Sequence, residues 1–199
     1  MSTLPRSFIT PEQYLEMERR PEYKSEYYNG EMFAMSGARR EHALIVMNAS
    51  RELSAQFRSR PCEVYASDVR VRVSATGLYT YPDLVAICGE PEFADKGLDT
   101  LLNPALIIEV LSPSTEAYDR GRKFDHYKTI ESLRQYLLLS SDRIHADLYS
   151  RHLGNSWLLT SASRTEDVLT LDSVDARLAL ADLYEKLSFE EPLLPAGPS

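Results

Sequence analysis

Glu109 sits inside Leu106-Ile107-Ile108-Glu109-Val110-Leu111, a run that is apolar on both sides of it. Such a run reads as a strand buried on two faces. An ionised carboxylate there must be paired, protonated or bound to a cation. A plainer reading stays open, in which Glu109 ends its strand and reaches solvent or an arginine. A second carboxylate, Asp83, stands at the mouth of another apolar run, Tyr81-Pro82-Asp83-Leu84-Val85-Ala86-Ile87. Taken alone, Asp83 reads as a turn aspartate. If the two runs pair as neighbouring strands, their carboxylates can converge on one hard divalent ion, leaving positions for water and a phosphate.

A basic segment, Asp119-Arg120-Gly121-Arg122-Lys123-Phe124-Asp125-His126-Tyr127-Lys128, follows the Glu109 run. Ala117, Gly121 and Phe124 are expected on its packing side, with Gly121 allowing close approach to a sheet. Lys123 flanks that side and can extend toward the carboxylates, where an ammonium orients water or stabilises charge on a pentacoordinate phosphate. The alternative is a solvated basic helix face. His42 lies on the apolar face of a long helical pattern, as a core histidine or as a partner of the site. Asp68 reads as a turn cap or a partner for Arg70. His126, His145 and His152 show no ligand spacing.

The elements that must position these groups are legible in outline. Thr10-Pro11-Glu12-Gln13 predicts a helix start with a capping box, and that helix ends before Pro21. Asn29-Gly30 between two strand-like runs predicts a hairpin. The longest helical pattern spans about Ala38 to Ser59, with His42, Val46, Ala49, Leu53 and Phe57 on one face. Strands are predicted at 63–66, 69–73, 84–88, 106–111, 135–139, 144–149, 157–160 and 168–171. Helices are predicted from Ser114 or Thr115 to about Ile130 and at 179–187. The class is α/β, one domain over 1–190 with a mixed sheet, followed by a frayed tail at 191–199.

The 199 residues carry a formal net charge of -8, with 43% hydrophobic and 26% charged residues, which is ordinary globular usage. Bulk electrostatic coating of nucleic acid is disfavoured by that charge. By segment the picture differs. Residues 37–72 carry +3 and residues 118–134 carry +2, while residues 74–117 and 165–199 each carry -6. Cys62 and Cys88 form no CxxC motif and are expected as buried free thiols in a reducing cytoplasm. Met1 to Phe8 lacks the apolar stretch of a signal peptide, and the longest near-apolar run is too short to span a bilayer. The twelve tyrosines are expected to pack core edges rather than to bind bases. No nucleotide-binding loop and no GxSxG elbow occurs.

Pro82-Asp83, Glu109 on the next apolar strand and the basic helix together resemble the PD-(D/E)xK restriction-endonuclease-like superfamily, and more narrowly its Uma-type bacterial branch. The matching segments are Tyr27-Tyr28-Asn29-Gly30-Glu31, Met35-Ser36-Gly37-Ala38 with His42, Val64 to Val71, Tyr81-Pro82-Asp83, Ile108 to Thr115 and Tyr118 to Phe124. The resemblance implies a mixed four- or five-stranded core flanked by helices, Mg²⁺- or Mn²⁺-dependent phosphodiester hydrolysis of nucleic acid, with DNA the expected substrate, and a homodimer. It assigns metal-ligand roles to Asp83 and Glu109, with the Val110 carbonyl as a further ligand and Glu26 as an extra acidic residue. The superfamily lysine is expected two positions after Glu109, where this chain has Leu111, so Lys123 must serve from the following helix. The competing expectation is a catalytically silent binding module that keeps the fold.

Overall fold

In the computed structural model, residues 8–19, 24–35, 37–94, 96–97 and 99–189 are described. The expectations for Pro21, for the extreme N-terminus and for a frayed tail at 191–199 lie outside those residues. Helix α1 (Pro11–Glu18) begins with the expected box: Thr10 Oγ1 accepts from the Gln13 N–H, and the Gln13 side chain accepts from the Thr10 N–H. Strands β1 (Ser25–Tyr28) and β2 (Glu31–Ala34) flank the Asn29-Gly30 turn. There Asn29 has φ 49° and Gly30 has φ 82°, the left-handed pair that a tight hairpin requires. Helix α2 (Arg40–Phe57) follows.

Strands β3 (Cys62–Ala66), β4 (Arg70–Val73), β5 (Leu78–Thr80), β6 (Leu84–Cys88), β7 (Thr100–Leu101) and β8 (Leu106–Leu111) come next. After β8 the chain forms α3 (Glu116–Tyr118), a π turn (Asp119–Lys123) and α4 (Phe124–Tyr127). Strands β9 (Gln135–Ser140), β10 (Ala146–Arg151), β11 (Trp157–Ala162), β12 (Val168–Leu171) and β13 (Ala176–Ala179) lead to α5 (Leu180–Leu183).

The central sheet has six strands in the order β11-β10-β9-β8-β6-β3, one more than the resemblance implied. It is mixed: β8 and β9 run parallel and the other pairs antiparallel. A five-stranded sheet, β2-β1-β5-β4-β7, carries the N-terminal hairpin. The two-sided apolar character of β8 follows from its place between two cores. Leu106, Ile108 and Val110 pack toward Ile45, Ala49, Leu53 and Phe57 of α2. Ile107 and Leu111 pack on the opposite face with Phe124, Tyr127, Val71 and Val73. Side chains alternate along a strand, so Glu109 enters this second layer, between the central sheet, the π turn and the hairpin sheet.

Five expectations are corrected. Cys62 and Cys88 are joined in a disulfide rather than free, because the β3–β6 register sets them directly opposite with Cα atoms 4.0 Å apart. Arg70 pairs with Asp99, and Asp68 pairs with Lys24 instead. The packing side of the 116–127 segment is Asp119, Lys123, Phe124 and Tyr127, whereas Ala117 is exposed. A Cβ on Gly121 meets nothing within 4 Å, so this glycine serves no close approach. The continuous helix expected to about Ile130 is instead interrupted by the π turn, and Thr115 makes no side-chain cap hydrogen bond. Strands β5, β7 and β13 were not expected; β5 and β7, with three and two residues, are too short for alternation to register in the sequence.

Candidate active site

The ladder between β6 and β8 pairs Leu84–Ala86 with Leu106–Ile108 and then stops. Just past that point the two strands hold their carboxylates side by side. Asp83 Oδ2 accepts the Val110 N–H at 2.7 Å, and the Asp83 N–H approaches Glu109 Oε2 at 3.4 Å. Strand geometry, not loop chance, therefore brings the two together.

Lys123 enters from the π turn and is 6% exposed. Its Nζ lies 2.9 Å from Glu109 Oε1, 3.2 Å from Glu26 Oε1 and 3.6 Å from Asp119 Oδ1. Glu26, from β1, also accepts from the Thr80 hydroxyl. Tyr127 donates to Glu109 Oε1 at 2.9 Å. On the far side, His42 Nε2 lies 2.9 Å from Asp83 Oδ1. Its ring also meets the backbone of Val110. Glu26, His42, Asp83, Glu109, Val110 and Lys123, drawn from five elements, thus share one cluster.

Burial governs the electrostatics. It pushes the Glu109 carboxyl up, against the pull of Lys123 and with the help of the Asp83 and Asp119 charges. Asp119 is raised for the same first reason. For Lys123 burial opposes the charge, but Glu109, Tyr127, Glu26 and Asp119 outweigh it and hold the ammonium well above its ordinary value. His42 is likewise raised: burial opposes the imidazolium, and the Asp83 hydrogen bond and charge prevail.

Four carboxylates face one ammonium and one imidazole here. Even with His42 charged, negative charge is left in a largely buried place, which favours an added cation. Among the described residues no three His, Cys, Asp or Glu side chains form a ready cage. The donors that fit are then two hard carboxylates, Asp83 and Glu109. The Val110 carbonyl leaves the strand from the same edge as its N–H, where the His42 ring also meets it, and water would have to supply the remaining positions of a small hard divalent ion.

This arrangement of strand-end carboxylates and helix lysine accompanies a family match. The profile of the Uma2 family, described as "Putative restriction endonuclease", covers residues 11–181. The chain belongs to the Uma2 family. Two uncharacterized Synechocystis proteins are similar to this Uma2 chain. The first, slr1290, is 35% identical over 181 residues, covering 91% of this chain and 94% of its own length. The second, sll1609, is 36% identical over 152 residues, covering 76% of this chain and 86% of its own. A crystal structure described as a putative nuclease belonging to DUF820, from Anabaena variabilis, superposes with a TM-score of 0.73. At 16% identity, covering 88% of this chain and 97% of that one, it shares the fold.

Two members of the cluster escaped the sequence reading, Asp119 and Tyr127. The signal was present: 119, 123 and 127 are spaced by four and stack on one helical face. The expected packing face, set by Ala117, Gly121 and Phe124, pointed elsewhere.

Proposed function

We propose that this Uma2 protein is a divalent-metal-dependent nuclease that hydrolyses phosphodiester bonds of nucleic acid, DNA being the expected substrate. The observation that carries the proposal is the buried convergence of Asp83, Glu109 and Lys123, with Lys123 Nζ 2.9 Å from Glu109. Asp83 and Glu109 would hold Mg²⁺ or Mn²⁺, which when bound acidifies a coordinated water and screens the phosphate charge. His42 and the Val110 N–H fix the Asp83 carboxylate from both of its oxygens. Tyr127 fixes Glu109 from its hydroxyl. Glu26 and Asp119 keep Lys123 protonated, so that its ammonium can orient the attacking water and stabilise charge on the phosphoryl oxygens. Action as a homodimer completes the reading; sedimentation of the purified protein checks the dimer.

The test is cleavage of single-stranded, double-stranded and branched DNA, and of RNA, with Mg²⁺ or Mn²⁺. Asp83→Ala and Glu109→Ala are each expected to abolish turnover, and Lys123→Ala to lower it at least a hundredfold, about what one lost electrostatic stabiliser costs. Activity unchanged by the two carboxylate variants would sink the proposal. One observation favours the silent binding module: Lys123 is held by three carboxylates at once, with Leu111 in the usual lysine position. Calorimetry showing no Mg²⁺ or Mn²⁺ binding, alongside intact nucleic-acid or protein binding, decides for that module.

A further inference from the structure

Two aromatic rings stand exposed beside the cluster, although neither contributes to it. Phe33 lies directly opposite Glu26 in the β1–β2 register. Facing residues of an antiparallel pair project from the same side, so Phe33 shares the side from which Glu26 reaches Lys123. Phe33 is 48% exposed and Met35, two residues on, is 36% exposed. β2 is also an edge strand of its sheet among the described residues. Tyr118, next to Asp119 on the segment that supplies Lys123, is 37% exposed. Its phenol lies close enough to Glu26, Lys123 and Asp119 to feel their charges.

Unlike the tyrosines of the core, neither ring belongs to a hydrophobic cluster among the described residues. Tyr14, Tyr27 and Tyr79 form a buried cluster of their own. Arg122, one helical turn after Tyr118, is exposed and makes no ion pair among the described residues. Arg39, at the start of α2 near His42, is exposed and equally free. Two exposed rings, one opposite Glu26 and one beside Asp119, and two arginines without an ion pair among the described residues therefore lie on the elements that carry the acidic cluster. Carboxylates alone repel a nucleic acid. Rings that accept base faces, with guanidinium groups that accept phosphates, supply the attraction the cluster lacks.

We propose that Phe33 and Tyr118 form a base-stacking lip, and that the substrate presents unpaired nucleotides next to the scissile phosphate: a single strand or a branched end, not intact duplex. Bases stacked inside a duplex offer no free face to either ring, whereas a single strand exposes one per nucleotide. The inference rests on the nuclease reading above and narrows its substrate class.

The test is fluorescence anisotropy with a fluorescein-labelled oligonucleotide, single-stranded or annealed to its complement, with Ca²⁺ replacing Mg²⁺ to hold off cleavage. The full chain is expected to bind the single strand about tenfold more tightly than the duplex. Phe33→Ala and Tyr118→Ala should each weaken single-strand binding about tenfold, the scale of one lost stacking contact, with duplex binding unchanged. Phe33→Trp and Tyr118→Trp should retain it, which separates stacking from a folding defect. Duplex bound as tightly as single strand overturns the inference, as do alanine variants that bind the single strand like wild type. If the protein then cuts duplex in a manner dependent on Asp83 and Glu109, the nuclease reading stands and only the lip falls. If neither probe binds, the lip falls, and cleavage dependent on Asp83 and Glu109 decides the nuclease reading separately.

Discussion

Glu109 is 4% exposed, and its carboxyl is raised chiefly by burial. A carboxyl that holds its proton more tightly when folded contributes stability that is complete below the ordinary carboxylate range. That contribution is lost as pH rises through the raised value. At neutral pH and above, the buried charge therefore costs stability. Glu109→Gln removes that cost while its amide oxygen can still accept from Tyr127, and Lys123 keeps Glu26 and Asp119 as partners. The variant is expected to be inactive yet more stable than wild type by about 1 kcal/mol at pH 8, with the advantage shrinking toward pH 4. Urea melts across that range check the sign, and a variant less stable at every pH contradicts it. Asp83, Glu109 and Lys123 were legible in the sequence because each interrupts a pattern: a carboxylate in an apolar run, another at a strand mouth, a lysine beside an apolar helix side. Asp119 and Tyr127 broke no pattern: their spacing of four with Lys123 marks a shared face, but not whether that face meets water or a cluster.

At the scale of elements, the π turn between α3 and α4 places Asp119 and Lys123 on the inward face while leaving Gly121 over open space. Gly121→Ala should therefore be tolerated. Replacing glycine within a helical segment is expected to raise stability by about 0.5–1 kcal/mol, or a melting shift of roughly 2–3 °C. A fall of several degrees shows that the glycine is needed after all. A second element-level device is Asp99, which ties the end of α1 to β4 and β7. Burial opposes its charge, but hydrogen bonds from Arg19, Arg70 and Thr100 prevail and lower its carboxyl to about 2. A depressed carboxyl contributes stability above its unfolded value, and that contribution disappears as pH falls through the folded one. Wild type is expected to lose up to about 2 kcal/mol of stability from this group between about pH 4 and pH 2. Asp99→Asn should flatten that part of the acid-unfolding curve. The capping box and the Asn-Gly hairpin were readable because each depends on residues three or fewer apart. The Asp99 latch and the π turn were not, since both arise from contacts between distant elements.

At the scale of the molecule, the two layers meet at β8, and the net charge of -8 is partly a record of the cluster between them. The Cys62–Cys88 link binds β3, the outer strand, to β6, which leads from Asp83. Sequence spacing could not reveal it, because only the antiparallel register brings the two residues opposite one another. Closing a loop of this size is worth about 3 kcal/mol. Reduction with dithiothreitol is expected to lower the melting temperature by roughly 6–9 °C. An unchanged melting temperature shows that the link is absent in solution. The bridge from Lys123 to Glu26 has a consequence of another kind. It joins the first strand to a segment past the middle of the chain, so closing it requires both sheets to be in place. Until both are in place these groups remain hydrated. A chain that stops short of Lys123 therefore holds no complete cluster, however well its first sheet has formed.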